Sequence, residues 1–151
     1  MTPEEKLADL GLTLPQAPAP AANYVPYVRT GNLLLISGQI SQGPQGLITG
    51  KVGTDLDIAA AQMAAQACAL AILAQAKAAV GELSNIRQVV KLTGFVNSTP
   101  EFSNQPEVIN GASDLFVAVL GAAGRHARAA VSAGALPRNV AVEIDAIIEV
   151  S

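Results

Sequence analysis

From Ile58 to Val80 the chain is an almost unbroken run of alanine and aliphatic residues, with Asp55 and Asp57 before it and Gly81 after it. An acidic residue favours a helix N-terminus through the dipole, and glycine ends a helix readily, so one long helix is expected here. Met63, Ala67, Leu70 and Ala74 share a face of that helix, while Ile72 and Leu73 fall outside the stripe. The apolar surface is therefore broad, and its alanines allow the helix to lie close against a sheet. Gln62, Gln66, Gln75 and Lys77 interrupt the run, which makes it a poor membrane span and a good buried helix of a soluble domain.

The rest of the chain supplies that sheet. Tyr24 to Val28 and Leu33 to Ile40 read as strands around the turn Thr30-Gly31-Asn32. Leu33-Leu-Leu-Ile36 is apolar on both faces, as in a central strand covered on both sides, one cover being a neighbouring subunit. Gln42 to Gly46 reads as a loop and Leu47 to Gly50 as a short returning strand. Ile86 to Val96 reads as a further strand, reached from the earlier ones by a right-handed crossover through the long helix. Pro106 to Leu120 is a second helix with Val108, Ala112, Leu115 and Val119 on one face; Gly111 inside it costs roughly 1 kcal/mol relative to alanine, which raises the question of a close approach there. Ala127 to Ser132 and Val140 to Val150 complete the pattern. In the last strand Val142, Ile144, Ala146 and Ile148 alternate with Glu143, Asp145, Ile147 and Glu149, placing a row of carboxylates on one face.

At the other end, Pro3 to Leu10 reads as a short helix, with Thr2 as its cap and Gly11 as its stop. Pro15, Pro18 and Pro20 make Leu14 to Ala22 extended. The expected division is an arm over residues 1–22 and one α+β domain over residues 23–151.

Composition narrows the function. A chain of 151 residues that is 50% hydrophobic can build one core, but with 3% aromatics and no Trp it must do so from Ala, Val, Leu and Ile. Such side chains bury less area each, which favours oligomerisation. Net charge is −3 and Lys and Arg form no long run, so a nucleic-acid partner is not expected unless Arg125, Arg128 and Arg138 assemble into a patch. With one His and one Cys a zinc site is not expected, and Cys68 reads as an inert buried thiol. The charged start Met-Thr-Pro-Glu-Glu-Lys lacks the order of a secretory signal, so the expected location is cytoplasmic.

Chemistry is suggested by His126-Ala-Arg128-Ala-Ala-Val131, then Leu136-Pro137 and Val140 to Val150. An arginine fork matches a carboxylate bidentately, and a glutamate on a mostly apolar strand can hold a water or a proton. With Leu35-Ile-Ser37-Gly38-Gln39-Ile40, this spacing resembles the RidA/YjgF reactive-intermediate deaminase family, also known as endoribonuclease L-PSP. The resemblance covers the chain from about Tyr24 onward. It implies a chorismate-mutase-like mixed sheet with two helices on one face, assembled as a homotrimer with sites between subunits. It further implies that Arg128 clamps a substrate carboxylate and that Glu143 positions the attacking water. Ser37 and Gly38 would orient the ligand through backbone groups, since glycine permits close approach. Tyr24, with Tyr27 as its rival, would wall the pocket, and Asn110 would line it from the second helix. No metal or organic cofactor is implied.

Three departures mark a distinct branch. Ala130 stands where many members carry cysteine, Ser41 replaces the proline that often follows Ser-Gly-Gln-Ile, and Asn110 to Leu115 with Gly124 to Arg128 is unlike the usual segments. The leading expectation is hydrolytic deamination of 2-imino or enamine acids to 2-keto acids and ammonia. The alternative is a regulatory module that binds a small carboxylate without turnover; an endoribonuclease fits the acidic charge least. His126 reads as a surface or packing residue, with an acid–base role as the rival.

Overall fold

The computed structural model describes residues 1–20 and 22–151; Ala21, within the expected arm, lies outside them. Helix α1 (Pro3–Asp9) is set by a capping box. The Glu5 amide donates to the Thr2 hydroxyl at 3.1 Å, and the Thr2 amide donates to the Glu5 carboxylate at 2.7 Å. Strand β1 (Tyr27–Thr30) turns through Gly31 into β2 (Leu33–Ile40), and β3 (Gln42–Gly43) pairs with β4 (Gly46–Leu47), so the expected loop carries a small hairpin. Next come α2 (Ile58–Val80), β5 (Ile86–Asn97), α3 (Gln105–Leu120), β6 (Ala127–Ala133) and β7 (Val142–Val150). The first strand begins at Tyr27 rather than Tyr24, because residues 22–24 bend and Pro26 has no N–H to give a ladder.

The five long strands form one mixed sheet in the order β1-β2-β7-β5-β6, antiparallel except for β5 and β6, which run parallel and are joined through α3. This is the expected α+β, chorismate-mutase-like architecture. Both long helices cover one face, with Val142, Ile144, Ala146 and Ile148 of β7 fully or almost fully buried beneath them. Asp57 caps α2 by accepting from the Ala60 amide at 2.8 Å. The buried line of α2 runs through Ala61, Ala65, Cys68, Ile72 and Ala76, and Leu73 is buried beside it, whereas Met63 is 61% exposed. The expected stripe was thus rotated: a helix apolar nearly all round gives no periodic signal, and its bulky Ile72 and Leu73 go inward because they bury most area. Burial raises the Cys68 thiol well above its ordinary pKa, an effect that Glu143 reinforces, so Cys68 is the inert thiol the sequence suggests.

Among the described residues no helix lies on the opposite sheet face. Leu33 and Leu35 stand 39% and 41% exposed on it, with Val28, Val131 and the carboxylate row, so within one copy β2 is covered on one side only. The N-terminal stretch lies against the domain. Leu7 is buried, the Glu4 carboxylate meets the Lys77 ammonium at 2.6 Å and accepts from the Leu83 amide, and the Pro18 carbonyl accepts from the buried Gln75 amide at 2.7 Å. Burial opposes ionisation of Glu4, but Lys77 and the Leu83 amide outweigh it and hold the carboxyl below its ordinary range. Since both side chains are well exposed, this pair contributes no more than about 1 kcal/mol, present above the ordinary carboxylate pKa and lost as pH falls through the lowered one.

Candidate active site

Two clusters contain the expected residues, and they lie on opposite faces of the sheet. The first surrounds Glu143. Its neighbours across the ladder are Ile40 on β2 and Phe95 on β5, which puts it on the face away from the helices. The register of β2 shifts between Ile36 and Gln39, and Gly38 sits in that irregularity. A Cβ on Gly38 would overlap the Glu143 carboxylate, so only glycine leaves that carboxylate its place. The Ser37 hydroxyl donates to the Val25 carbonyl at 2.8 Å and the Ser37 amide donates to Pro26, which pins the segment carrying Tyr24 beside Gly38. Tyr24, 49% exposed, joins Gly38 and Glu143 in lining a cavity of about 970 Å³. Tyr27 is not among the residues that line that cavity. Burial raises the Glu143 carboxyl above its ordinary pKa, with Asp145 adding to the effect; a carboxylate in that state is the better base.

The second cluster surrounds Arg128. Its ladder partner is Leu92, which in turn opposes Ala146, so its side chain belongs to the helix face. There the guanidinium donates to the Ser113 hydroxyl at 3.0 Å and to the Pro106 carbonyl at 3.1 Å, both on α3. Asn110 lies four residues after Pro106 and three before Ser113, on the same helical stripe. His126 completes the group: its Nε2 is 2.9 Å from the Ser113 hydroxyl and its Nδ1 is 2.7 Å from the Gly124 carbonyl. A carbonyl only accepts, so Nδ1 carries the hydrogen and Nε2 accepts from Ser113. The chain Arg128 to Ser113 to His126 then runs in one sense, each group donating to the next. Burial lowers the His126 pKa and the Arg128 charge lowers it further, against the opposing Gly124 bond, which keeps the imidazole neutral as this chain requires.

His126 is therefore neither a loose surface residue nor aimed at Glu143; it supports the arginine from behind, edge-on to Phe116 at 6.0 Å between ring centres. Ser113 went unnoticed in the sequence because it is separated from Arg128 by fifteen positions and a turn. Its replacement by alanine removes one guanidinium partner and should raise KM about threefold to tenfold, with kcat much less affected, in steady-state assays of whichever substrate the site turns over.

Within one chain the two clusters do not meet. Arg128 and Glu143 are two strands apart and offset by three residues in register, about 10 Å across the strands and about 10 Å along them, on different faces. Nor do Arg125, Arg128 and Arg138 gather into one basic patch. Arg125 and Arg138 flank opposite ends of β6, and Arg138 lines the cavity of Glu143 instead.

Comparison with known proteins places these clusters in context. Residues 4–149 match the family described as "YjgF/chorismate_mutase-like, putative endoribonuclease". Protein TCP17 of Trypanosoma cruzi is 48% identical over 96% of this chain and 92% of its own length. The crystal structure of Atu1372 from Agrobacterium tumefaciens superposes with a TM-score of 0.92 at 55% identity, covering 99% of this chain and 94% of that one. One from Shewanella oneidensis gives 0.96 at 34% identity, covering 99% and 100%. More distant is Escherichia coli TdcF, solved with bound serine, at 0.63 and 29% identity over 90% of this chain and 94% of that one. The match to the family model spans nearly the whole sequence and includes both clusters, so the chain belongs to the YjgF/RidA family.

Proposed function

We propose that the protein hydrolyses reactive 2-imino acids to 2-keto acids and ammonia at sites completed by a second copy of the chain, in a homotrimer. The observation that carries this reading is the division just described: an arginine braced for an anion on one face, and a half-buried, weakly acidic glutamate beside a glycine on the other. Neither cluster suffices alone, and the exposed Leu33, Leu35, Val28 and Val131 give the uncovered sheet face a reason to associate. A ring of head-to-tail copies joins the Arg128 cluster of one subunit to the Glu143 cluster of the next.

In such a site the Arg128 guanidinium, with two of its five N–H groups held by Ser113 and Pro106, retains donors for the substrate carboxylate. Glu143 accepts a proton from water as the oxygen bonds to the imine carbon. It returns that proton to nitrogen, giving a carbinolamine; the carboxylate then carries the adduct's hydroxyl proton to the same nitrogen as the C–O bond becomes a carbonyl and the carbon–nitrogen bond breaks, releasing the keto acid and ammonia. The imine carbon is already electrophilic. Serine bound to TdcF is a ligand of matching size and carboxylate chemistry in a relative.

The test generates 2-iminopropanoate in situ and traps what remains with semicarbazide. The expected result is faster loss of imine with the protein than without it. No acceleration by protein shown by light scattering to be trimeric would overturn catalysis and leave a carboxylate-binding module. A monomer mass at micromolar concentration would overturn the shared site.

A further inference from the structure

The cavity that holds Glu143 extends well beyond it. Its volume of about 970 Å³ is at the upper end for small-molecule sites, and a three-carbon imino acid would leave most of it empty. Its distant walls are mainly apolar, with Leu12, Leu14 and Pro15 from the N-terminal stretch and Met63, Ala67 and Leu70 from α2. Glu143 and Arg138 are its only charged lining residues among those described. The prolines suit such a wall, since they bring no N–H that would need a partner in an apolar space. The wall is also held in place. Gln75, 1% exposed, donates to the Pro18 carbonyl at one end, and the buried Leu7 with the Glu4–Lys77 pair anchors the other. The same Gln75 amide lies 3.4 Å from Gln39 Oε1, the neighbour of Gly38, so the wall and the Glu143 cluster are built on one support.

We propose that this cavity is the side-chain subsite of the deaminase, with the N-terminal stretch as its roof, and that it selects 2-imino acids bearing large apolar side chains, branched aliphatic or aromatic. The proposal rests on the deaminase reading and adds the substrate class. A wall carrying Leu12, Leu14 and Pro15 and a helix face carrying Met63, Ala67 and Leu70 offer length and breadth to a benzyl or isobutyl group, with Thr13, Gln16 and Gln66 the only polar side chains on them among those described.

The experiment compares kcat/KM for imines generated by an amino-acid oxidase from phenylalanine, leucine and alanine. Each well-buried methylene discriminates by about tenfold or more, so the phenylalanine and leucine imines should exceed the alanine imine by at least about tenfold. The variant Ala67→Trp, which fills the cavity, should lower that preference ratio by about tenfold or more. Met63→Glu should do the same by placing a charge in the subsite, and because Met63 is largely exposed that variant should fold even if Ala67→Trp does not. A ratio near one in the native protein, or a ratio unmoved in the folded variants, overturns the subsite while deamination of all three imines leaves the deaminase reading standing. No acceleration of any imine overturns both.

Discussion

Arg128→Ala and Glu143→Gln should each reduce imine hydrolysis by about 10²–10⁴-fold, yet an equal mixture of the two, unfolded and refolded together, should recover about a quarter of native activity. The recovery follows from where the groups lie. Each inactive chain still carries the other's intact cluster, and in a randomly mixed ring a junction pairs a sound Arg128 with a sound Glu143 in about one case of four. A site held within one chain would recover nothing. Two readouts separate the roles further. Loss of the carboxylate clamp should raise KM as well as lower kcat, whereas Glu143→Gln should act chiefly on kcat. In the native protein, kcat/KM should decline on the acid side as Glu143 takes up its proton. Because burial and Asp145 weaken that acid, the decline should centre above the ordinary glutamate pKa of about 4.3. An acid limb unchanged in Glu143→Gln would sink the assignment.

The parts of this arrangement legible in the sequence are those with a period. The strict alternation from Val142 to Val150 placed Glu143 on the face away from the core, and the stripe Val108, Ala112, Leu115, Val119 placed α3 correctly, since each is buried. Where the period fails, so does the reading. An alanine-rich α2 offers apolar residues at every angle, and only the packed structure shows that Ile72 is inward and Met63 outward. The relation between Arg128 and Glu143 was beyond reach for another reason. Face parity across β6, β5 and β7 depends on register, which no single strand records, so two residues that the resemblance assigns to one site emerged on opposite faces. Ser113 and its bond to Arg128 are likewise products of tertiary contact between a helix and a strand.

Gly111→Ala should lower the unfolding free energy by about 1–3 kcal/mol, although alanine is the better helix former by about 1 kcal/mol. The sequence left this glycine as a question, and the structure answers it. A Cβ at Gly111 would collide with the backbone carbonyl of Gln62 and come within 2.9 Å of the Gln62 Cα, so the two long helices cross here with main chain against main chain. Backbone atoms cannot rotate aside as a side chain does, and relief requires α2 and α3 to separate. That movement would loosen contacts among Val108, Ala112 and Ala65 and shift the α3 stripe that carries Ser113 and Asn110. The control is Gly134→Ala, where no atom of the described residues lies within 4 Å of the added carbon and the backbone is ordinary; its stability should be unchanged or slightly increased. Denaturant midpoints at one fixed protein concentration, so that assembly contributes equally, decide the matter. Equal midpoints for the two variants would mean that the helices do not meet at Gly111, and a drop for Gly111→Ala alone would identify the missing side chain as what lets α2 and α3 cross main chain to main chain.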